Sequence, residues 1–322
     1  MVTPLGGDPL SRAIDTNVLS AAEAAHFSFD TLPVATAEEN TETMAITAVR
    51  RALAVAGVAP EDVGLLVHSW VADTEVDWRI TARIARLAGS RRAVATGVRQ
   101  LCNGGALGLQ FAAAYLLTEP RVEHSLVLTA DALGESWSRR WRHGLGLGDS
   151  ATALVLSKRP GKLTVQSIVS GGRPDHEATF RADNPFQREG LGDHPLPAED
   201  IPSEQVVFRM RSCLRGTVRD ACADAGLDVG DPRIDLVLVN RVSSALVKML
   251  AEGNLPSGLA GKVQNLAEHS GHLFAGDLAA NLAHLADVLT PGRFALVLNF
   301  GAGFNATCVV VRASDVGGDV VG

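Results

Sequence analysis

The chain has 322 residues, of which 46% are hydrophobic and 20% charged, and its formal net charge is −7. At roughly 100–200 residues per domain, this length predicts two domains or one large one, with a sizeable core. No apolar run approaches the roughly 18–20 residues that span a bilayer, and residues 1–20 lack the basic start and apolar stretch of a signal peptide. The acidic balance and the 5% aromatic content argue against nucleic-acid binding.

Four cysteines occur, at Cys102, Cys213, Cys222 and Cys308. They are too few for a disulfide scaffold in a chain of this length, and no CxxC or HExxH spacing marks a metal site. We therefore expect a reduced, cytoplasmic protein without a metal ion or other cofactor. A cysteine in a protein core usually acts as a small hydrophobe, and this is the expectation for the last three.

The first half of the chain alternates helical and strand-like patterns. Weakly periodic residues 1–35 come first, and then Met44, Ile46, Val49 and Leu53 predict one face of a helix that Gly57 ends. The predicted elements are helices over 41–56 and 77–87, strands over 63–70 and 93–100, a helix over 102–117, and strands over 124–131 and 148–157. The helix over 102–117 is apolar on nearly every face, which predicts burial all round.

The second half repeats the same order of patterns. It predicts a strand over 233–240, helices over 244–251 and 275–289, and strands over 293–300 and 305–312. Such similarity predicts an α/β protein made of two duplicated halves, 1–158 and 159–322, although any α/β protein repeats βαβ units. The polar stretch Pro160–Gln205 has no clear periodicity, so we expect a surface connection that covers a site.

Cys102 is the cysteine with the best setting for chemistry. It follows a strand-like segment and opens a buried helix, where unpaired backbone N–H groups and the helix dipole favour a thiolate, the attacking species. Asn103, Gly104 and Gly105 come next, and small residues there would let a substrate approach closely.

Three segments in this order and spacing, QLCNGGALGLQFAAAYL, GDSATALVLS and FGAGFNATCVVV, resemble the ketoacyl synthase III branch of the thiolase superfamily over roughly residues 41–312. The resemblance implies the five-layered αβαβα thiolase fold, an obligate homodimer and acylation of Cys102 from a thioester. It also implies an oxyanion hole made by the backbone N–H groups of Cys102 and of Ala302, in the turn Gly301-Ala302-Gly303. Each such donor contributes about 3–4 kcal/mol in subtilisin. Gly303 is then expected beside the substrate.

The sequence departs from the condensing members of this branch at two positions. These carry a histidine followed by Gln-Ala-Asn after a strand of the second half, where this chain has Asn240-Arg241-Val242-Ser243. They carry Gly-Asn before the next helix, where this chain has Gly271-His272. Since their His and Asn together stabilise the enolate of a decarboxylated malonyl thioester, the exchange weakens a condensing function.

His272 is followed five residues later by Asp277. Within one helix that spacing would turn roughly 500° and separate the side chains, but Gly271 and Gly276 bracket the segment, and periodicity begins only at Leu278. We therefore expect His272 in a loop and Asp277 at the helix cap, with one imidazole nitrogen on the carboxylate and the other facing Cys102. This is a Cys-His-Asp triad suited to acyl transfer or hydrolysis.

The pattern resembles the ketoacyl synthase III-like acyltransferases of bacterial natural-product pathways. The resemblance implies transfer of an acyl group, without decarboxylation, to a hydroxyl or amine of a sugar, cyclitol or polyketide in antibiotic biosynthesis. Alternatives stay open: a ketoacyl synthase III condensing enzyme, a thioester hydrolase and a non-catalytic partner subunit. Asp277 as a plain N-cap and His269 as the base are also open.

Asn240 either lines the pocket and orients substrate or merely ends its strand, and Asp149 is expected to anchor a turn. The donor thioester would ride on an acyl carrier protein or on coenzyme A. Because carrier proteins are acidic, a basic docking patch is expected, either in Arg139-Arg140-Trp141-Arg142 or along Arg83 and Arg91-Arg92, unless these charges are merely solvated surface.

Overall fold

The computed structural model describes residues 1–72, 79–133, 140–142, 144–180, 203–252 and 254–315. The strands are β1 (Gly6–Pro9), β2 (Thr31–Val34), β3 (Val63–Ser69), β4 (Val94–Val98), β5 (His124–Asp131), β6 (Trp141–Arg142), β7 (Leu145–Gly146), β8 (Ser150–Ser157), β9 (Leu163–Gly172), β10 (Ile234–Val239), β11 (Val263–Gln264), β12 (Phe294–Gly301) and β13 (Asn305–Ala313). The α-helices are α1 (Leu10–Asp15), α2 (Ala21–Ala24), α3 (Thr41–Ala56), α4 (Ile80–Ala88), α5 (Gly104–Thr118), α6 (Ser203–Asp224), α7 (Ser244–Val247), α8 (Ser257–Ala260) and α9 (Asp277–Val288).

Two mixed sheets share one strand order. The first runs β4-β3-β5-β8 and the second β11-β10-β12-β13-β9. In each, the second strand is parallel to both neighbours and the fourth is antiparallel to the third. β9 adds an antiparallel edge beside β13, and at the corresponding place in the first sheet Val2 makes an isolated antiparallel bridge to Ala151. The matched order is the internal duplication expected from the sequence.

The sheets enclose a central helical layer. One apolar cluster joins α5 and α9 to the inner faces of both sheets, through residues such as Val67, Leu109, Leu282 and Val297. A second cluster packs α3 and α4 on the outer face of the first sheet, and a third packs α6 on the outer face of the second. The five layers are therefore helix, sheet, helix, sheet, helix, as expected.

Several predicted elements are confirmed closely. α3 spans Thr41–Ala56 as predicted and ends at Gly57, whose φ of 62° is left-handed. The strand over 124–131 is also confirmed residue for residue. The central helix α5 is not buried all round, because Phe111 and Leu117 in its second half are 48% and 86% exposed.

The stretch Pro160–Gln205 was expected to be irregular, and this is wrong for part of it. Leu163–Gly172 forms β9, ten residues long, in the second sheet, and α6 begins at Ser203. Residues 181–202 lie outside the described part of the chain. The predicted boundary at 158/159 falls between β8 and β9, and the division into domains 1–158 and 159–322 stays a prediction. Among described residues, no helix combines the length and apolarity needed to cross a bilayer.

Candidate active site

Cys102 lies in a sharp turn between β4 and α5. The short 3-10 helix Leu101–Asn103 precedes α5, and Leu101 has a φ of 49°. Such a left-handed residue costs of order 1–3 kcal/mol and persists only where its surroundings fix it. The turn leaves Cys102 partly exposed, next to the first turn of a 15-residue helix.

Buried polar side chains of the second sheet hold this turn in place. The Asn299 side chain of β12 donates to the Cys102 carbonyl oxygen over 3.1 Å. The Asn103 amide donates to Gln100 Oε1 over 2.8 Å and to Thr307 Oγ1 of β13 over 2.9 Å. The position of Cys102 therefore depends on strands of the other half of the chain.

His272 lies in a loop before α9, and Asp277 is the first residue of that helix. Imidazole Nδ1 lies 2.5 Å from Asp277 Oδ2. Phe274, with a φ of 54°, lies between them, and this left-handed turn lets the carboxylate fold back toward the ring. The expected helix cap is wrong in detail, because Gly276 occupies the N-cap and the Asp277 side chain bonds to the loop instead.

The first half of the chain fixes the backbone of His272. Its N–H donates to Gly146 O over 2.7 Å, and its carbonyl accepts from Gly148 N over 3.0 Å. Asp149, the next residue, accepts from Ala35 N and Leu133 N. The expectation that Asp149 anchors a turn is confirmed, and the turn it anchors holds the histidine.

The pKa values of His272 and Asp277 are shifted in opposite directions. Burial disfavours the imidazolium of His272, but the charges of Asp277 and Cys102 and hydrogen bonds to both raise its pKa well above the usual 6.5. Burial likewise disfavours the ionised carboxyl, but the His272 charge and hydrogen bond and the Arg241 charge hold the pKa of Asp277 below its usual value. The structure therefore brings Cys102, His272 and Asp277 into one charged, hydrogen-bonded group.

Asn240 is fully buried at the end of β10, and protein groups occupy its amide. Its oxygen accepts from Phe300 N over 2.8 Å, and its Nδ2 lies 3.3 Å from Asp277 Oδ2. It therefore does more than end its strand, since it joins the Asp277 carboxylate to the end of β12. A direct contact with substrate stays a prediction.

The C-terminal glycine turn packs against the cysteine. A Cβ built on Gly301 would lie 3.2 Å from Cys102 N and 2.8 Å from Asn103 N, so only glycine lets this turn approach so closely. Gly303 has a φ of 109°. The roles of Ala302 in the oxyanion hole and of Gly303 beside the substrate stay predictions.

The small residues after Cys102 serve packing, which corrects the expected role in substrate approach. A Cβ on Gly104 would lie 2.0 Å from Ser69 Oγ, and one on Gly105 would lie 2.2 Å from Ala275 O. Protein atoms therefore fill the space beside both glycines. The second contact brings the start of α5 against the loop that carries His272.

The expected basic patch over 139–142 is wrong for Arg140 and Trp141, which are buried, whereas Arg142 is half-buried. Arg140 is buried, and its guanidinium binds Asp149 through two contacts of 2.7 Å each. Trp141 is buried too and donates to Asp8, while Arg139 and His143 lie outside the described residues. Arg83 is exposed but pairs with Glu42, and Arg91 and Arg92 are exposed, so docking there stays a prediction.

The other cysteines differ from Cys102 in burial. All four thiols are free. Burial raises the pKa of Cys213, raises that of Cys222 to about 11 and raises that of Cys308 further, and a protonated thiol is a poor nucleophile. Across the described ranges no group of three or more potential ligands could hold a metal ion. The His269 side chain, the alternative base, lies outside the described residues.

Comparisons with known proteins identify the family. No protein-family model matches the chain. It is 27% identical over 276 residues to beta-ketoacyl-[acyl-carrier-protein] synthase III 2 of Vibrio cholerae serotype O1, covering 82% of this chain and 73% of that protein. The solved structure of ChlB3, described as an acyltransferase, matches with a TM-score of 0.82 and 26% identity over 97% of this chain and 95% of that one. The chain belongs to the thiolase-like ketoacyl synthase III family.

The fold of this ketoacyl synthase III-like protein extends to more distant structures. AbyA1, a tetronic acid condensing enzyme, matches with a TM-score of 0.76 and 17% identity over 97% of both chains, which shows the shared fold alone. The chain therefore has the thiolase fold. Its similarity to the ketoacyl synthase III enzymes above makes it an enzyme of the acyl-transferring class.

Sequence reasoning missed Asn299, Thr307 and Arg241, which support the site. All three are buried: Asn299 holds the Cys102 carbonyl, Thr307 holds Asn103, and Arg241 donates its backbone N–H to Asp277. For Arg241 a signal existed, since a charged residue between a buried strand and a helix must find partners inside the protein.

Proposed function

We propose that the protein is an acyltransferase that moves an acyl group from a thioester to a hydroxyl or amine through an acyl-Cys102 intermediate, without decarboxylation. The donor is an acyl carrier protein or coenzyme A thioester. The acceptor is a small molecule of the sugar, cyclitol or polyketide class in antibiotic biosynthesis. The similarity to ChlB3, described as an acyltransferase, supports this assignment.

One observation carries the proposal: His272 lies between Cys102 and the Asp277 carboxylate, with Nδ1 on Asp277 at 2.5 Å. Its other nitrogen, Nε2, then serves the thiol. Asn240 binds Asp277 and Phe300 N, which leaves at most one of its two amide N–H groups for an enolate. The arrangement favours proton transfer over decarboxylation.

In the first step the Cys102 thiolate attacks the thioester carbonyl. The backbone N–H groups of Cys102 and Ala302 are proposed to bind the oxyanion. The carbon–sulfur bond to the carrier breaks, and the leaving thiolate takes the proton of the His272 imidazolium. The products are a free carrier thiol, acyl-Cys102 and a neutral imidazole.

In the second step the neutral His272 accepts the proton of the acceptor hydroxyl as the oxygen attacks acyl-Cys102. The carbon–sulfur bond breaks and restores the thiolate beside the new imidazolium. The net reaction exchanges a thioester and an alcohol for an ester and a thiol. Over the two steps the protons balance, and no atom is oxidised or reduced.

Acylation itself would prepare His272 for the second step. In the free enzyme the negative charges of Asp277 and Cys102 both raise the pKa of His272 against the effect of burial. Acylation turns the thiolate into a neutral thioester and so removes one of these charges. The pKa of His272 therefore falls in the acyl-enzyme, where a base is needed.

A condensing function is the second candidate, because curated relatives that match over 276 and 278 residues are beta-ketoacyl-[acyl-carrier-protein] synthases III. Incubation with malonyl and non-malonyl thioesters, on coenzyme A and on a carrier protein, separates the two. We expect intact-mass spectra to show a Cys102-linked acyl group, absent in Cys102→Ala and retained in Cys213→Ala. Carbon dioxide release coupled to ketide formation would refute the acyltransferase proposal.

We further propose a homodimer formed through β4. This strand is an edge of the first sheet, with Val94 54% exposed, and an uncovered edge pairs readily with another strand. Light scattering is expected to give a dimer for the wild type and a monomer for Val94→Lys. Val55→Lys, at an 85% exposed position of α3, is the matched control and should stay dimeric.

A further inference from the structure

Asp277 receives hydrogen bonds from both sides of the site. Besides His272, its Oδ2 accepts from Arg241 N over 2.9 Å, and its Oδ1 accepts from Leu273 N over 2.9 Å. The Arg241 backbone thus contacts the carboxylate directly. Its side chain extends over the first turn of the same helix.

The Arg241 guanidinium is 5% exposed and is held by neutral groups. Nε donates to Asn281 Oδ1 over 3.2 Å, and Nη1 donates to Ser270 Oγ over 2.9 Å. Asn281 in turn donates to Val239 O over 2.9 Å. Neither side-chain partner carries a charge, so among the described residues the buried guanidinium has no directly bonded carboxylate.

This placement of a cation is unfavourable for stability alone. The positive end of the α9 dipole disfavours a cation at the helix N-terminus, and burial of an unpaired charge is costly. The Asp277 charge is what favours the charged form of Arg241, against burial, which lowers its pKa. The charge that offsets the cost of burying the Arg241 cation is therefore that of Asp277, the same carboxylate that binds His272.

We propose that Arg241 is a positioning residue whose buried charge opposes protonation of the coupled Asp277–His272 pair and thereby sets the pH range in which His272 releases and accepts protons. This inference rests on the proposed function only for its effect on acyl transfer. Its effect on the protonation of His272 is independent of the substrate.

The other charged groups near the site are accounted for. Cys102 and Asp277 act on His272, and His272 and Arg241 act on Asp277. From the first half, Asp131 accepts from the backbone of the same loop at Ala275. Asp149, which follows the backbone contact to His272, is neutralised by Arg140.

The test is the titration of His272, monitored by NMR in protein labelled with ¹⁵N-histidine. The His272 signal is assigned as the one that is lost in His272→Asn. Arg241→Gln removes the charge but leaves the backbone bond to Asp277. Because a positive charge is lost, the midpoint of His272 is expected to rise by about one pH unit or more. Arg241→Lys keeps the charge and is expected to restore most of the wild-type midpoint.

Two further variants separate charge from packing. Ser270→Ala removes one hydrogen bond of the guanidinium without changing any charge, so its midpoint is expected to match the wild type. Asn281→Asp adds a negative charge beside Arg241 with little change in size, and should raise the midpoint as Arg241→Gln does. It keeps the inference testable if Arg241→Gln fails to fold.

Acyl transfer gives a second measurement. In single-turnover reactions of acyl-Cys102, the acid limb of the pH profile should shift upward with the NMR midpoint in Arg241→Gln. An unchanged midpoint in the folded charge variants, or an equal shift in Ser270→Ala, would overturn the role of Arg241. A shifted midpoint in a protein that transfers no acyl group would instead refute the proposed function alone.

Discussion

Replacement of Asp277 by asparagine tests the charge of the proposed triad in isolation. Among the described residues, donors from His272, Arg241 and Asn240 converge on Oδ2, and Leu273 N binds Oδ1. An asparagine with its oxygen at the Oδ2 position keeps the first three bonds. The variant should therefore retain the His272 tautomer and lose only the negative charge and the bond to Leu273.

The magnitude follows from these contacts. Two unit charges about 4 Å apart at an effective dielectric constant of about 20 interact by about 4 kcal/mol. Loss of this interaction with the imidazolium should slow transfer by about 10³-fold, less than the roughly 10⁴-fold loss in a triad whose histidine changes tautomer. One buried N–H, that of Leu273, loses its partner, at a cost of about 1–3 kcal/mol in stability.

The assay begins with Cys102 acylated from an acyl-coenzyme A. After removal of excess donor, intact-mass spectrometry follows deacylation by water, which takes the place of the acceptor. Asp277→Asn should still form the acyl-enzyme and then deacylate about 10³-fold more slowly than the wild type. Asp8→Asn, which replaces another buried carboxyl that accepts a hydrogen bond from Trp141, should deacylate at the wild-type rate. A folded Asp277→Asn that deacylates within a factor of about three of the wild type (less than 1 kcal/mol) would refute the role of the charge.

Three other substitutions test the packing and charges around the site. Gly105→Ala should reduce both thermal stability and deacylation rate, because its Cβ would lie 2.2 Å from a carbonyl oxygen of the His272 loop. Gly216→Ala, in a helix with no atom within 4 Å of the new Cβ, should be neutral or stabilising by up to about 1 kcal/mol, and equal melting temperatures for the two would contradict the clash. Arg140→Met leaves the buried Asp149 carboxylate unpaired and should cost about 3–5 kcal/mol in urea unfolding; a loss below about 1 kcal/mol would mean that the pair is not buried. Burial, opposed by backbone hydrogen bonds, raises the pKa of Asp131 from 3.8 to about 7, above its unfolded value. The stability that this group contributes is therefore complete below about pH 4 and is lost as the pH rises to about 7. The difference in unfolding free energy between wild type and Asp131→Asn should fall over that range and then level off, and a flat difference would contradict the shift.

Elements with strong local signals could be predicted from the sequence, whereas those that depend on distant partners could not. α3 has a complete apolar face and a glycine at its end, so both of its ends were predictable. β9 was missed because nine of its ten residues are half-buried or exposed, and they mix serine, glutamine and glycine with valine. The four-residue strands β1 and β2 are too short to show a period.

In the candidate site, too, local features could be predicted and distant contacts could not. The glycines around His272 indicated a loop from which the carboxylate could reach the ring, and this local geometry was predictable. The partners of Arg140 and Arg241 were not. Arg140 lies in a run of charges, which usually indicates solvated surface, and the position of Arg241 after a buried strand indicates burial but not which residues it contacts. Arg140 binds a carboxylate beyond the next turn, and the side chain of Arg241 binds residues 29 and 40 positions away. Such pairings are set by the tertiary fold.

The two central helices bring together groups that lie far apart along the chain. Cys102 precedes α5 and Asp277 begins α9. During synthesis the nucleophile therefore leaves the ribosome long before His272 and Asp277 do. What unites them is the apolar contact between the two helices and the inner faces of both sheets, rather than the short peptide that links β8 to β9. A backbone cut in that peptide would leave the chemistry intact for as long as the contact stayed closed. The rate of catalysis would then measure how far the two halves stay in contact. Activity would be lost when the halves separate, before either half unfolds.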